Sequence, residues 1–177
     1  KSDDGGRSWE SISSDLPERG SVYSIAEDHI NPNLLFVGTE FGLWFTLDGG
    51  EHWKELGSGL PTIAVRDIAI QERENDLVLA TFGRGFYVLD NYSPLRELEY
   101  VLNQDNAFFT TKPGLLFRRA KIGGVDYKGA QFYTAENPKV GVTFEWNTSS
   151  SAAKVKDNRP EADENLPHYP SLEQLRL

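Results

Sequence analysis

Apolar residues occur along this chain in short runs, each closed off by Gly, Pro, Asn or Asp, and their periods predict strands rather than helices. Val22 to Glu27 alternates apolar with polar residues, the pattern of a strand with one buried face. Leu34 to Thr39 is a short continuous apolar run, brief for a helix and suited to a buried strand. Leu43 to Leu47 follows the Glu40-Phe41-Gly42 turn, and Trp53 to Leu56 follows Asp48-Gly49-Gly50, which completes four strands in meander order. A second set is predicted at Val65 to Ile70, Leu77 to Thr81 and Gly85 to Leu89. No Asp-Gly-Gly turn follows it; Asp90-Asn91-Tyr92-Ser93-Pro94 stands there instead.

The two sets are copies of one unit. Ser2-Asp3-Asp4-Gly5-Gly6-Arg7-Ser8-Trp9 returns 44 residues later as Thr46-Leu47-Asp48-Gly49-Gly50-Glu51-His52-Trp53. Val22-Tyr23-Ser24-Ile25-Ala26 matches Val65-Arg66-Asp67-Ile68-Ala69, and Leu35 to Thr39 matches Leu77 to Thr81. Gly42-Leu43-Trp44-Phe45 matches Gly85-Phe86-Tyr87-Val88, and even Asp15-Leu16-Pro17 has a counterpart in Gly59-Leu60-Pro61. A period of about 40–50 residues with no helix inside it is that of a four-stranded propeller blade. The expected fold is therefore all-β: a partial β-propeller of about two four-stranded blades over residues 1–98. The start of a second β domain is expected over 99–146, with strands around Phe108, Phe109, Leu115 to Phe117 and Val140 to Trp146. A polar linker or tail is expected over 147–177, with a short helix at Pro170 to Leu177.

The Asp-Gly-Gly segments carry the most specific chemistry, and it is the chemistry of a turn. Asp-Gly is a strong hairpin signal because glycine adopts the positive φ that the turn demands. The aspartate can accept hydrogen bonds from backbone N–H groups of its own turn, and the Ser or Thr two residues earlier can add another. The Trp at the far end is expected to pack between strands, contributing roughly 2–3 kcal/mol of burial. Ser2 to Trp9 and Thr46 to Trp53 resemble the Asp-box of the BNR repeat, Ser-x-Asp-x-Gly-x-Thr-Trp, with Ser8 and His52 in the Thr place. Val37 to Gly42 and Thr81 to Asp90 likewise resemble the last blades of large sortilin-like, BNR-repeat bacterial proteins, often labelled glycosyl hydrolases. The resemblance covers residues 1–98 and fades beyond. It implies that Ser2, Asp4, Gly6, Trp9, Thr46, Asp48, Gly50 and Trp53 are structural. It also implies a periplasmic or secreted bacterial protein, a section of which is seen here, since Lys1 opens in mid-motif.

Composition narrows the function. The chain of 177 residues has 38% hydrophobic and 25% charged residues, with a mean hydropathy of −0.49, so a globular domain is expected. No apolar run approaches the roughly 18 residues of a membrane helix. A net charge of −9 repels phosphate backbones, which disfavours nucleic acid as a partner, and the lack of cysteine excludes disulfides and thiolate metal sites. His29, His52 and His168 show no ligand spacing, so no metal and no cofactor is expected. Arg84, held between Gly83 and Gly85, is the foremost binding candidate, with Arg66 and Glu40 beside it. Its alternative is a surface turn in which Arg84 pairs with Glu40 or Asp90. A sialidase-like glycosidase needs an arginine cluster, a tyrosine nucleophile and an acid/base. Arg66, Arg84, Tyr87 and Asp67 are its only neighbours here, and an Arg-Ile-Pro signature is missing. The expected function is a non-catalytic binding or scaffold module for protein, peptide or glycan; the alternative is a glycoside hydrolase whose catalytic residues lie mostly outside this chain. Ile25, Phe36 and Trp44 are expected to share one uncovered apolar face that meets further blades or a second copy.

Overall fold

The structure is a computed structural model that describes residues 1–57, 59–114 and 141–148. The strand expected at Leu115 to Phe117, the tail from 149 onward and the helix at Pro170 to Leu177 lie outside the described residues. Within them the chain is all-β in character, built from antiparallel sheets of which none is closed. Strands β1 (Val22–Glu27), β2 (Leu35–Thr39), β3 (Gly42–Thr46) and β4 (Lys54–Glu55) form one meander in the order β1-β2-β3-β4. Strands β5 (Val65–Gln71), β6 (Asp76–Thr81) and β7 (Gly85–Leu89) form a second, three-stranded one. A 3-10 helix (Ser93–Glu97) runs into the short helix α1 (Leu98–Leu102), where the first meander has its Asp-Gly-Gly turn and β4. Strands β8 (Asn106–Phe108) and β9 (Trp146–Thr148) make a small separate ladder, with the Phe108 and Trp146 rings 6.4 Å apart.

Two of these boundaries differ from expectation. The unit was expected to end near Leu98, yet α1 crosses that point, and Val101 is fully buried while Leu98 packs on the core. Trp146 to Thr148 pairs with Asn106 to Phe108, so Asn147 belongs to a strand although its polar surroundings suggested a linker. Cross-strand pairing decides that stretch, not composition.

The two sheets stack because each strand alternates its side chains between two faces. On one face of the first sheet Ala26, Phe36 and Phe45 stand in a single cross-strand row, with Leu43 beside them. This face packs on the Ile68, Leu79 and Tyr87 row of the second sheet, and with Leu34, Val65, Leu77 and Tyr92 it forms the main core. The opposite face of the first sheet carries Ile25, Val37 and Trp44 in one row. Ile12 and Leu16 of the N-terminal segment, together with Trp53, cover part of it over Leu35 and Val37. Phe36 therefore does not share an uncovered face with Ile25 and Trp44: it is wholly buried on the other side, and of the three only Ile25 is open to solvent. The correction follows from the period of two, which puts neighbours 36 and 37 on opposite faces. Gly38 lets the sheets meet, since a Cβ there would stand 2.7 Å from the Val65 carbonyl oxygen.

One buried polar cluster ties the sheets to the segment after β7. Asp28, at the end of β1, has a fully buried side chain. It accepts hydrogen bonds from Arg96 Nε at 2.8 Å and Nη2 at 2.6 Å, from the Tyr92 hydroxyl at 2.6 Å and from the Asn31 N–H at 2.8 Å. Arg96 also donates to Asn75 Oδ1 at 2.7 Å, and the Tyr92 ring meets Phe36 edge-on at 5.2 Å. Burial alone would raise the Asp28 pKa, but the bonds from Arg96, Tyr92 and Asn31 outweigh it and hold the carboxyl well below the usual range. The same burial, helped by the Asp28 charge, pushes the Tyr92 hydroxyl far up, so it stays a donor. Truncating Asp28 would strand the Arg96 charge in the core. Asp28→Ala is expected to destabilise by about 3–5 kcal/mol, measured by urea unfolding. The loss should be smaller when Arg96→Met is added, because the orphaned charge is then gone. Since the folded pKa is depressed, the Asp28 contribution is complete above the ordinary carboxylate range and is lost as pH falls below that range through the depressed folded value.

Candidate functional site

The two Asp-Gly-Gly turns share one hydrogen-bond pattern. In the first, Asp4 Oδ1 accepts from the Arg7 and Ser8 N–H groups, each at 2.9 Å, and Oδ2 accepts from the Ser8 hydroxyl at 2.8 Å. Ser2 Oγ donates to Asp4 and accepts from the Gly6 N–H at 2.7 Å. In the second, Asp48 Oδ1 accepts from the Glu51 and His52 N–H groups at 2.9 and 3.0 Å, while Thr46 takes the place of Ser2. His52 Nδ1 lies 2.7 Å from Asp48 Oδ2, the position filled by the Ser8 hydroxyl in the first turn. The paired glycines hold φ between +73° and +103° in both, where a side chain would be strained. The backbone bond from Ser8, with its hydroxyl and that of Ser2, lowers the Asp4 pKa to about 2.

The tryptophans differ. Trp53 is 5% exposed and donates from Nε1 to the Ile12 carbonyl at 2.6 Å, filling the space between the first sheet and the N-terminal segment. Trp9 is 77% exposed and donates only to Gly6 of its own turn at 3.2 Å. Both rings were expected to pack between strands; Trp53 is buried, though between the sheet face and the N-terminal segment, and Trp9 is exposed, because among the described residues no sheet lies against the first turn. Asp48, Glu51 and His52 offer potential metal-ligand atoms within 4.8 Å of one another. Both Asp48 oxygens already serve the turn, however, and Arg7 and Ser8 replace Glu51 and His52 in the other copy.

Chemistry directed outward gathers at the opposite end of the strands. The β2–β3 and β6–β7 turns are built alike: Thr39 and Thr81 hydroxyls donate to the Gly42 and Gly85 carbonyls at 3.0 and 2.8 Å. The Glu40 and Phe82 N–H groups donate back to Ser21 and Ala64 at 3.0 and 2.9 Å. Register slips between Val22 and Ser24 and again between Val65 and Asp67, which makes Tyr23 and Arg66 bulged residues at the same place in β1 and β5. Stacking of the sheets brings the Arg66 guanidinium to 4.0 Å from the Tyr23 ring centre and 5.1 Å from that of Phe82. The candidates Arg66, Arg84 and Glu40 thus stand at one rim. Arg84 is exposed between Gly83 and Gly85, both at positive φ, and it pairs with neither Glu40 nor Asp90. Tyr23 and Phe82 were missed because aromatic residues in a strand and a turn suggest core and loop, whereas only the bulge and the stacking reveal their contact with Arg66.

A cavity of about 580 Å³ opens elsewhere, beside β7, where Asp76, Asp90, Phe109, Pro113 and Glu145 approach one another. Its single cation among the described residues, Lys112, is held by Glu74 at 2.5 Å. No nucleophile–base pair appears there among the described residues. Comparison of the chain with known protein families, with curated proteins and with solved structures finds no match.

Two outcomes follow from the turns. Trp53→Ala should cost about 3–5 kcal/mol and Trp9→Ala less than about 0.5 kcal/mol, as compared by thermal melts. The hydrogen bond to Asp48, and its charge, raise the His52 pKa above its ordinary value. An NMR titration should show the His52 midpoint above about 6.5, falling back towards it in Asp48→Asn. The His52–Asp48 bond is then complete below the unfolded-state value and is lost as pH rises through the folded one.

Proposed function

We propose that this chain is a non-catalytic binding or scaffold module, formed by blades of an Asp-box β-propeller within a larger extracytoplasmic bacterial protein. The observation that carries this is the polarity of the stacking. Phe36, Leu43 and Phe45 of the first sheet face Ile68, Leu79 and Tyr87 of the second, although the repeat equates Phe36, Leu43 and Phe45 with Val78, Phe86 and Val88. The two sheets meet by unlike faces. Unlike-face contact leaves the second face of each sheet to a different neighbour, a place the N-terminal segment fills in part on the first sheet, and repeats in one direction, which a ring of such sheets requires. The free face of the second sheet carries Phe86, 76% exposed, and Val88, 55% exposed, and the free face of the first carries Ile25.

Further blades or a second copy would cover these faces, while a protein, peptide or glycan would bind at the turn rim. Among the described residues no helix is long and apolar enough to cross a membrane. The Asp-Gly-Gly turns spend their polar groups on themselves, which supports assigning them to structure rather than to catalysis. The chain alone should therefore associate at tens of micromolar in sedimentation and bind a hydrophobic dye, and Phe86→Lys with Val88→Lys should abolish both. A dye-silent monomer of 19.9 kDa would sink the proposal. Turnover of chromogenic glycosides would replace it with a hydrolase.

A further inference from the structure

We propose that the rim where Tyr23, Arg66 and Phe82 meet binds a single carboxylate carried beside a flat apolar or C–H-rich face. This site rests on the binding-module reading and names the chemistry of its ligand.

The fold fixes the Arg66 charge without neutralising it. The bulge in β5 turns Arg66 out of the ladder, the matching bulge in β1 presents Tyr23 to it, and the β6–β7 turn adds Phe82. Among the described residues no carboxylate lies within ion-pair range of Arg66, in a chain where 27 acidic residues face 18 basic ones. Contrast Arg96, whose charge Asp28 satisfies with two bonds. Ring contacts restrain the guanidinium plane but accept none of its N–H bonds. What remains is a restrained planar fork of donors, and that fork matches the two oxygens of a carboxylate. Phe82, 67% exposed, offers a ring on which the body of the ligand can lie. A doubly charged phosphate is disfavoured by Glu40 on the equivalent turn and by the net charge of −9. An aromatic acid and a sugar acid both fit this description.

The test follows the Arg66 Nε–Hε signal by NMR while benzoate, glucuronate, glucose or inorganic phosphate is added. Saturable shifts at Arg66 with benzoate or glucuronate, but not with glucose, are expected, and the tighter acid identifies the source. Arg66→Lys keeps the charge but loses the fork, and should weaken binding about tenfold or more. Phe82→Ala should weaken it several-fold. Both side chains are exposed, so thermal melts should remain close to wild type. Equal response to phosphate, undiminished binding by Arg66→Lys, or silence at Arg66 with every probe would overturn the site. Shifts confined to another surface would overturn it too, while leaving the module reading intact, which stands or falls on the association experiment.

Discussion

Asp28 carries a negative charge where no water reaches it, and the arrangement of everything around it follows from that constraint. A lone buried carboxylate would take up a proton or unfold its surroundings. Here Arg96 and Tyr92 from the segment after β7 and the N–H of Asn31 from the loop after β1 converge on it. Arg96 comes from the 3-10 helix, which must therefore lie across the ends of both sheets. Asn91, immediately before Tyr92, takes a positive φ where the chain leaves β7. Once there, the Tyr92 ring closes one end of the core against Phe36. The cost of leaving any member unpaired makes this geometry strongly specified, as packing among interchangeable aliphatic residues is not.

The same position in the other repeat shows how a repeated turn acquired this role. Gln71 corresponds to Asp28, and its Oε1 accepts from the Glu74 N–H at 2.6 Å, as Asp28 Oδ2 accepts from the Asn31 N–H. Both residues close the loop after the first strand of their sheet. Both loops meet the polypeptide leaving β7, the second through Asn75, which accepts from Arg96 and from the Tyr92 N–H, but it is the first that places a fully buried carboxylate against it. The Lys112 contact to Glu74 then fastens the chain beyond α1 to the β5–β6 loop, and the Thr110 contact to Glu97 fastens it to the 3-10 helix.

Much of this was legible in the residues. Strand positions followed from alternation, and the turns followed from Asp-Gly and Gly-Arg-Gly, because those signals are local. Facing was less legible. Phe36 and Trp44 both belong to apolar runs, and only cross-strand register separates the buried face from the other. The cluster at Asp28 left no local trace, since its members are separated by more than sixty residues. Asp28-His29-Ile30-Asn31 resembles any loop, and Tyr92 to Arg96 any strand exit. Trp9 and Trp53 have matching motifs but opposite exposures, because burial depends on what lies against a turn and not on the turn itself. Arg66 and Arg84 were visible as arginines in unusual places, whereas the ring contacts that distinguish them required the stacking.

The two repeats keep some positions and vary others, and the division has a physical basis. Thr39 and Thr81 close their turns with the same bond, and Tyr23 and Arg66 occupy the same bulge. These backbone devices do not depend on which side chain the bulge presents, since a bulged residue is excused from the ladder and projects from the rim. Side chains there can change without disturbing the core: tyrosine in one copy and arginine in the other, Glu40 against Phe82 at the following turn. Where β5 crosses Gly38, by contrast, the backbone contact leaves no room for a Cβ. Freedom at the rim and rigidity beneath it are one consequence of the same stacking. A surface so supported can vary its chemistry while its geometry stays fixed, which is what recognition of a ligand requires of a scaffold.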